Sequence, residues 1–405
     1  MNKYALCVQG GTITGLQEKQ GQRRLYEISG KKGSVEGFMN LDWKQLVNLS
    51  VEKTKNLEWK RLLNLEERQV VGIDIGSSAV RMVQLRKDDT GYVVNAAGFV
   101  DIVNEKDANR EQKDLNTIGA INTCLRSSRV QTRLAVCGVC GPETAVRYFK
   151  FPALPKEELE GAISLEAAQV CPFNIEDSAV DYQLMPNGDD SSCGVLVAAT
   201  NKLIERKKQL AREASLDCVL MDIDGLALLN CFTEYEKVEA GRTIVILNIG
   251  SSYTTLAIMG ANSLPFVRDI AYAGGAIVKE IAAEKGVSAE VVKKTLLGSE
   301  NSAGPAVELG GSLEKACQKL IVDVTETLRY YTAQEKSDIV EKIFVCGFAA
   351  VERFVELLDS RLPAKTVLWN PFDKIPCDGD QNCRDVLKKH GHAMAVAAGL
   401  AMRLI

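Results

Sequence analysis

The chain repeats itself, and the repeat limits the folds open to it more than any other feature. Residues 70–85 read VVGIDIGSSAVRMVQL and residues 244–259 read IVILNIGSSYTTLAIM, with IGSS identical at an offset of 174. In each copy a β-rich run enters a Gly-Ser-Ser turn and a second alternating run leaves it, the pattern of a β-hairpin. One Gly-Ser turn is a common loop. Two copies at a domain-sized spacing, each opening a β-rich unit, predict an α/β chain of two similarly built lobes.

The segments between the repeats fill in that plan. A third strand at 92–103, a helix at 115–127 and an apolar strand at 134–139 follow the first hairpin. A helix at 156–170, stopped by Pro172, strands at 181–184 and 195–199 and a helix at 202–214 then read as an inserted subdomain of about 146–215. A strand at 219–223 and a helix at 226–236 close lobe 1, taken as 70–240 and completed by about 384–405. Lobe 2, 241–383, carries helices at 275–285, 289–296 and 313–334, which together form a second insertion of about 276–334, and then a strand at 342–346. Residues 384–403 are rich in Ala and Gly and predict one helix packed closely on a sheet.

Charge separates the first 69 residues from the rest. They carry 12 Lys/Arg against 8 Asp/Glu, whereas the remaining residues carry 37 against 45. The acidic body argues against nucleic acid as a partner. No run approaches the ~18 apolar residues of a membrane span, and the N-terminus lacks the apolar core of a signal peptide, so a cytoplasmic chain is expected. Twelve irregularly spaced cysteines in apolar surroundings suit buried thiols in a reducing compartment. Cys137 and Cys140 form one CxxC without a second, so core packing is the simpler reading than zinc. Within the extension, Trp43, Leu46, Val47, Val51, Leu57, Leu62 and Leu65 fall near helical spacing among lysines. Such a basic amphipathic helix suits a membrane surface, a partner or its own protein body equally.

Gly-Ser-Ser turns present amides and hydroxyls with little obstruction, so Gly76, Ser77 and Ser78 facing Gly250, Ser251 and Ser252 could hold phosphate oxygens between two lobes. No P-loop and no GxGxxG is present, which leaves a site built from both lobes. Asp74, at the end of the first strand, could orient magnesium through water, whereas its counterpart Asn248 is neutral.

These residues resemble the actin-like ATPase superfamily and, within it, the PilM proteins of type IV pilus assembly. GIDIGSSAVRMVQL at 72–85 is similar to the phosphate-1 segment and LNIGSSYTTLAIM at 247–259 to phosphate-2. The stretch at 149–185, from FKFPALP to DYQLM, resembles the family's inserted 1C subdomain, and WNPF at 369–372 a late loop. RDIAYAGGAIVKEIA at 268–282 resembles the Gly-Gly helix entry, bringing Gly274 and Gly275 to the nucleotide, and FVCGFAAVERF at 344–354 the adenosine segment, bringing Gly347 and Phe348. The resemblance implies an actin-like ATPase fold with a 1C-type subdomain, and ATP with magnesium in the cleft. It also implies a place at the cytoplasmic side of the inner membrane, among other pilus assembly components. There the N-terminal tail of a PilN-like single-span membrane protein would dock in a groove between subdomains 1A and 1C, around residues 149–181, flanked by Arg147 and Lys150.

Two residues depart from the family pattern: Asn248 stands where Asp is usual and Phe348 where a second Gly is usual. Loss of a carboxylate weakens the hold on magnesium, and a Phe ring at a point of close approach fills space meant for adenine. Weakly magnesium-dependent nucleotide binding with little or no hydrolysis is therefore expected, and no catalytic residue can be named. A sugar-kinase-like phosphotransferase and an FtsA-like cell-division anchor remain alternatives on the same fold. The first needs a carboxylate base beside a sugar pocket and the second a C-terminal membrane helix, and neither can be assigned from these residues.

Overall fold

The computed structural model describes residues 69–403 apart from 90, 106, 186–190, 237–241, 297–308, 335–339 and 349–350, together with two short strands, β1 (Val8–Gln9) and β2 (Thr12–Ile13). The amphipathic stretch read at 41–65 lies outside the described residues.

Lobe 1 begins with β3 (Val71–Ile75), β4 (Ala79–Asp88) and β5 (Gly91–Asp101), followed by helix α1 (Arg110–Ser128) and β6 (Leu134–Val139). The inserted unit is β7 (Thr144–Pro152), α2 (Lys156–Val170), β8 (Ser178–Leu184) and β9 (Ser191–Thr200). The chain returns through α3 (Asn201–Glu213), β10 (Asp217–Ile223) and α4 (Asp224–Tyr235). Lobe 2 comprises β11 (Thr243–Ile249), β12 (Thr254–Met259), β13 (Pro265–Ile270), α5 (Gly274–Lys285), α6 (Ala289–Leu296), α7 (Gly310–Gln334), β14 (Val340–Gly347), α8 (Glu352–Arg361) and β15 (Lys365–Leu368). Helices α9 (Gln381–His390) and α10 (Ala395–Ala401) end the described chain.

The duplication holds at the level of register. Lobe 1's sheet has the order β5-β4-β3-β6-β10 and lobe 2's the order β13-β12-β11-β14-β15, in both cases an antiparallel meander followed by two parallel strands. Ile75 pairs with Val80 and Ile249 with Thr254, so each hairpin closes at the same offset. The paired strands are buried on both faces, so each register is held by the fit of its Val, Ile and Leu side chains against the layers above and below the sheet.

The expected single helix over 384–403 is instead broken at Gly391. The irregular residue is His390, with φ -125 and ψ 6, and a Cβ on Gly391 would sit 2.5 Å from Oδ1 of Asn370, so that loop can pack this closely only against glycine. The short helix α10 then packs on β3, β4 and α4, and completes the core of lobe 1. Its crossing with α4 is unusually close: a Cβ on Gly399 would lie 2.0 Å from the Ala227 carbonyl oxygen. Beyond it, Arg403 places Nε and Nη2 at 2.7 and 2.6 Å from Oδ2 of fully buried Asp222. Strands β13 and β15 and helix α8 were not read from the sequence. The helices of lobe 2 share one core with its sheet.

The inserted sheet has the order β7-β9-β8 and its own small core of Phe149, Leu159, Ile163, Ala167 and Leu196 under α2. Helix α3 packs on β10 and β6 and reaches β8 and β9, so it floors the space between lobe 1's last strand and the insert. Strands β1 and β2 pair with each other and lie beside β10 and β8 respectively.

Candidate functional site

The two Gly-Ser-Ser turns meet tip to tip. In each, the glycine amide closes the turn by donating to the carbonyl three residues on, Gly76 to Ala79 and Gly250 to Tyr253, both at 3.0 Å. Ser252 Oγ donates to Ser77 Oγ at 2.7 Å, across the cleft between the lobes. The carbonyl of Ser78 accepts the Ile102 amide at 2.8 Å, which ties the first turn to the end of β5. The amides of Gly274 and Gly275, at the start of α5, donate to the carbonyls of Gly250 and Ser251 at 3.0 and 2.9 Å. A Cβ on Gly275 would fall 2.6 Å from the Ser251 carbonyl oxygen, so this approach of helix to turn requires glycine. Gly347 has φ +100, and a Cβ there would be 2.6 Å from Asn248 Oδ1.

Several polar residues of the cleft floor are committed to one another, whereas Oδ1 of buried Asp224 has no hydrogen-bond partner among the described residues. Asp74, expected to orient magnesium, is paired at 2.9 Å with Arg81, which lies directly opposite it in the hairpin and is almost fully buried. Asn248 and Thr255 occupy the same two places in the lobe 2 hairpin, so lobe 2 has neither the acid nor the base of this pair. Asn248 Oδ1 accepts instead from the Cys346 thiol at 3.7 Å. Three residues here escaped the sequence reading because each lies on a different element. Asp224, buried at the start of α4, is pushed up to about 8 by burial and by the nearby Asp74 charge. Lys207 of α3 donates to the Ile75 carbonyl at 2.6 Å. Asp269 of β13 accepts from Thr255 Oγ1 and from the Gly141 amide, both at 2.6 Å, the second bond crossing between lobes; burial raises its pKa. Among the described residues no group of three His, Cys, Asp or Glu side chains is arranged to hold a metal.

At the segment expected to meet adenosine, the Phe348 ring lies under the Lys293 ammonium, with the nitrogen 5.3 Å from the ring centroid. Lys293 also pairs with Asp101 of lobe 1 at 2.9 Å. The cavity that these two line with Gly274, Ile277, Leu296 and Phe354 measures about 10 Å³. That is room for one water, against roughly 300–1,000 Å³ for a small-molecule site. ATP and magnesium do not fit the cleft as its residues stand: the Ser77 and Ser252 hydroxyls touch, the amides of Gly274 and Gly275 are taken, Asp74 is paired with Arg81 and the pocket at Phe348 has room for one water.

The Type IV pilus assembly protein PilM family matches residues 72–405. The chain belongs to that family. Among solved structures, a PilM–PilN type IV pilus biogenesis complex contains a chain 20% identical to it, with 83% of this chain and 98% of that one aligned at a TM-score of 0.66. This establishes the actin-like fold. EutJ, an ethanolamine utilization protein from Carboxydothermus hydrogenoformans, aligns over 83% of this chain and 89% of its own at 12% identity and a TM-score of 0.49. Ta0583, an archaeal actin homolog, aligns over 82% and 98% at 15% identity and a TM-score of 0.40.

In this PilM-family chain the inserted unit offers a second candidate surface. Strand β8 ends its sheet, and two bonds reveal which residues face outward. The Met185 amide donates inward to the Cys193 carbonyl at 2.9 Å, whereas the Tyr182 amide, turned away from β9, is covered by Asp181 Oδ1 at 2.8 Å. By alternation, Val180, Tyr182 and Leu184 turn their backbone groups to the open edge and Ala179, Asp181 and Gln183 turn theirs to β9. Arg147 and Lys150 were expected to flank the groove, but they stand on β7, on the opposite edge beside lobe 2. Phe149 is buried in the insert's own core rather than lining a groove. Among the described residues no helix is long and apolar enough to cross a membrane. The eleven described cysteines are free thiols.

Proposed function

We propose that this chain is an actin-like scaffold of type IV pilus assembly that docks the cytoplasmic N-terminal tail of a PilN-like single-span membrane protein as an added strand on β8. Family membership supports the pilus role, and the solved PilM–PilN complex supports the class of partner. The observation that carries the site is that β8 is the terminal strand of its sheet, with the backbone groups of Val180, Tyr182 and Leu184 turned outward and α3 packed alongside. An extended peptide gains affinity from such main-chain bonds, and alternate side chains give it specificity. The short β1–β2 hairpin lies along the same two strands, so a docked tail would displace it.

Docking of this kind places the chain at the cytoplasmic face of the inner membrane, held through its partner. Ordering a tail of about ten residues offsets part of the contact energy, so the affinity is modest. Calorimetric titration of the full chain with tail peptides from single-span proteins encoded beside it tests this. Binding tighter than about 100 μM, worth about 5.5 kcal/mol, is expected from one of them. Failure of every such peptide would remove the proposal.

A further inference from the structure

Several features of the cleft that could receive a nucleotide are met by a side chain or carbonyl of the chain itself. Two hydroxyls that both bond one phosphate stand on the order of 5 Å apart, since each bond alone spans about 2.7 Å. Ser77 and Ser252 are 2.7 Å apart and bond each other. Gly274 and Gly275 give their amides to the second turn. Phe348 and Lys293 reduce the base pocket to about 10 Å³. Lys293 does more than fill space, because its ammonium is fixed from two sides. The Phe348 face, within lobe 2, and the Asp101 carboxylate, at the end of a lobe 1 strand, hold it on the line where the lobes meet.

We propose that the interlobe cleft is a self-filled latch, in which Lys293 clamped between Asp101 and Phe348, together with the Ser77–Ser252 contact, closes the two lobes on each other without a nucleotide. The residues that an ATP-dependent relative would use to grip its ligand here grip one another. The positive charge of Lys293 stands in the base pocket, where it takes a carboxylate as its partner. The latch is independent of the strand edge on β8, so it holds or fails separately from the docking proposal.

Two measurements on the full chain test it. The first is the melting temperature at about 1 mM ATP or ADP, with and without magnesium. A site with a Kd of about 10 μM would be about 100-fold saturated and would raise the melting point measurably. No shift is expected. The second is hydrogen exchange of the segments around Ser77 and Ser252 in Lys293→Ala, with Lys294→Ala as control. Lys294 is exposed and, among the described residues, pairs with Glu290 on its own helix, at 3.8 Å. Exchange at both turns should rise several-fold, on the order of tenfold, in Lys293→Ala and stay unchanged in the control. A saturable nucleotide-dependent rise in melting temperature, or equal exchange in the two variants, would overturn the proposal.

Discussion

Proline substitutions at two adjacent residues of β8 should separate docking from folding. Val180 turns its amide to the open edge, whereas Ala179, paired with Ala199 and almost fully buried, turns its amide to β9. Proline at Val180 removes no bond from the sheet, and an edge strand accepts proline where the missing N–H faces away. A docked strand would lose one backbone hydrogen bond, about 0.5–1.5 kcal/mol, or about 2- to 13-fold in Kd, before any obstruction by the ring. Ala179→Pro instead strands a buried carbonyl, at about 1–3 kcal/mol. For a unit of this size, at ~2.1 cal/mol/K per residue, that lowers the melting temperature by about 1.5–4 °C. Calorimetry with a binding tail peptide and a thermal melt of each variant read the two effects. If Val180→Pro folds normally and binds the peptide as tightly as the parent, docking on β8 is wrong.

Arg403→Met should leave the fully buried Asp222 carboxylate without its ion-pair partner, costing about 3–5 kcal/mol, with part recovered when Asp222→Asn is added; urea midpoints measure both. Asp224 should give stability a distinctive pH dependence. Its folded pKa of about 8 lies above the ordinary 3.8, so the folded chain keeps a proton that the unfolded chain releases. The contribution is fully present below about pH 4 and is lost as pH rises towards 8, by about 1.4 kcal/mol per pH unit. Asp224→Asn should flatten that slope in urea melts between pH 5 and pH 8, and an unchanged slope would discount the assignment. A chain lacking residues 1–15 should bind a tail peptide more tightly, because β1 and β2 no longer lie beside β10 and β8; equal affinity would exclude competition.

What could be read from the sequence was whatever is repeated or local. The IGSS pair revealed the two lobes, and strand periodicity with the 156–170 helix revealed the insert, because these signals lie in short contiguous runs. The resemblance supplied the family and, through Phe348, the first sign that the base pocket is altered. What stayed hidden depends on residues brought together from far apart. Lys293 meets Asp101 across 192 positions, and Asp269 meets the Gly141 amide across 128. Asp74 looked available for a cation because its partner Arg81 faces it only once the hairpin register is known. The break at Gly391 falls where Asn370 of another loop packs against the chain, a contact that the glycine permits but does not announce.

Backbone exchange along β8 tests the docking account most directly. The full chain, with and without a tail peptide at saturating concentration, is followed by amide exchange resolved to single residues. Docking as a strand predicts that the peptide slows exchange at Val180, Tyr182 and Leu184. Ala179, Asp181 and Gln183, already paired to β9, should change little. Peptide binding that leaves the outward amides of β8 as they were, or that protects only residues elsewhere in the chain, would contradict it.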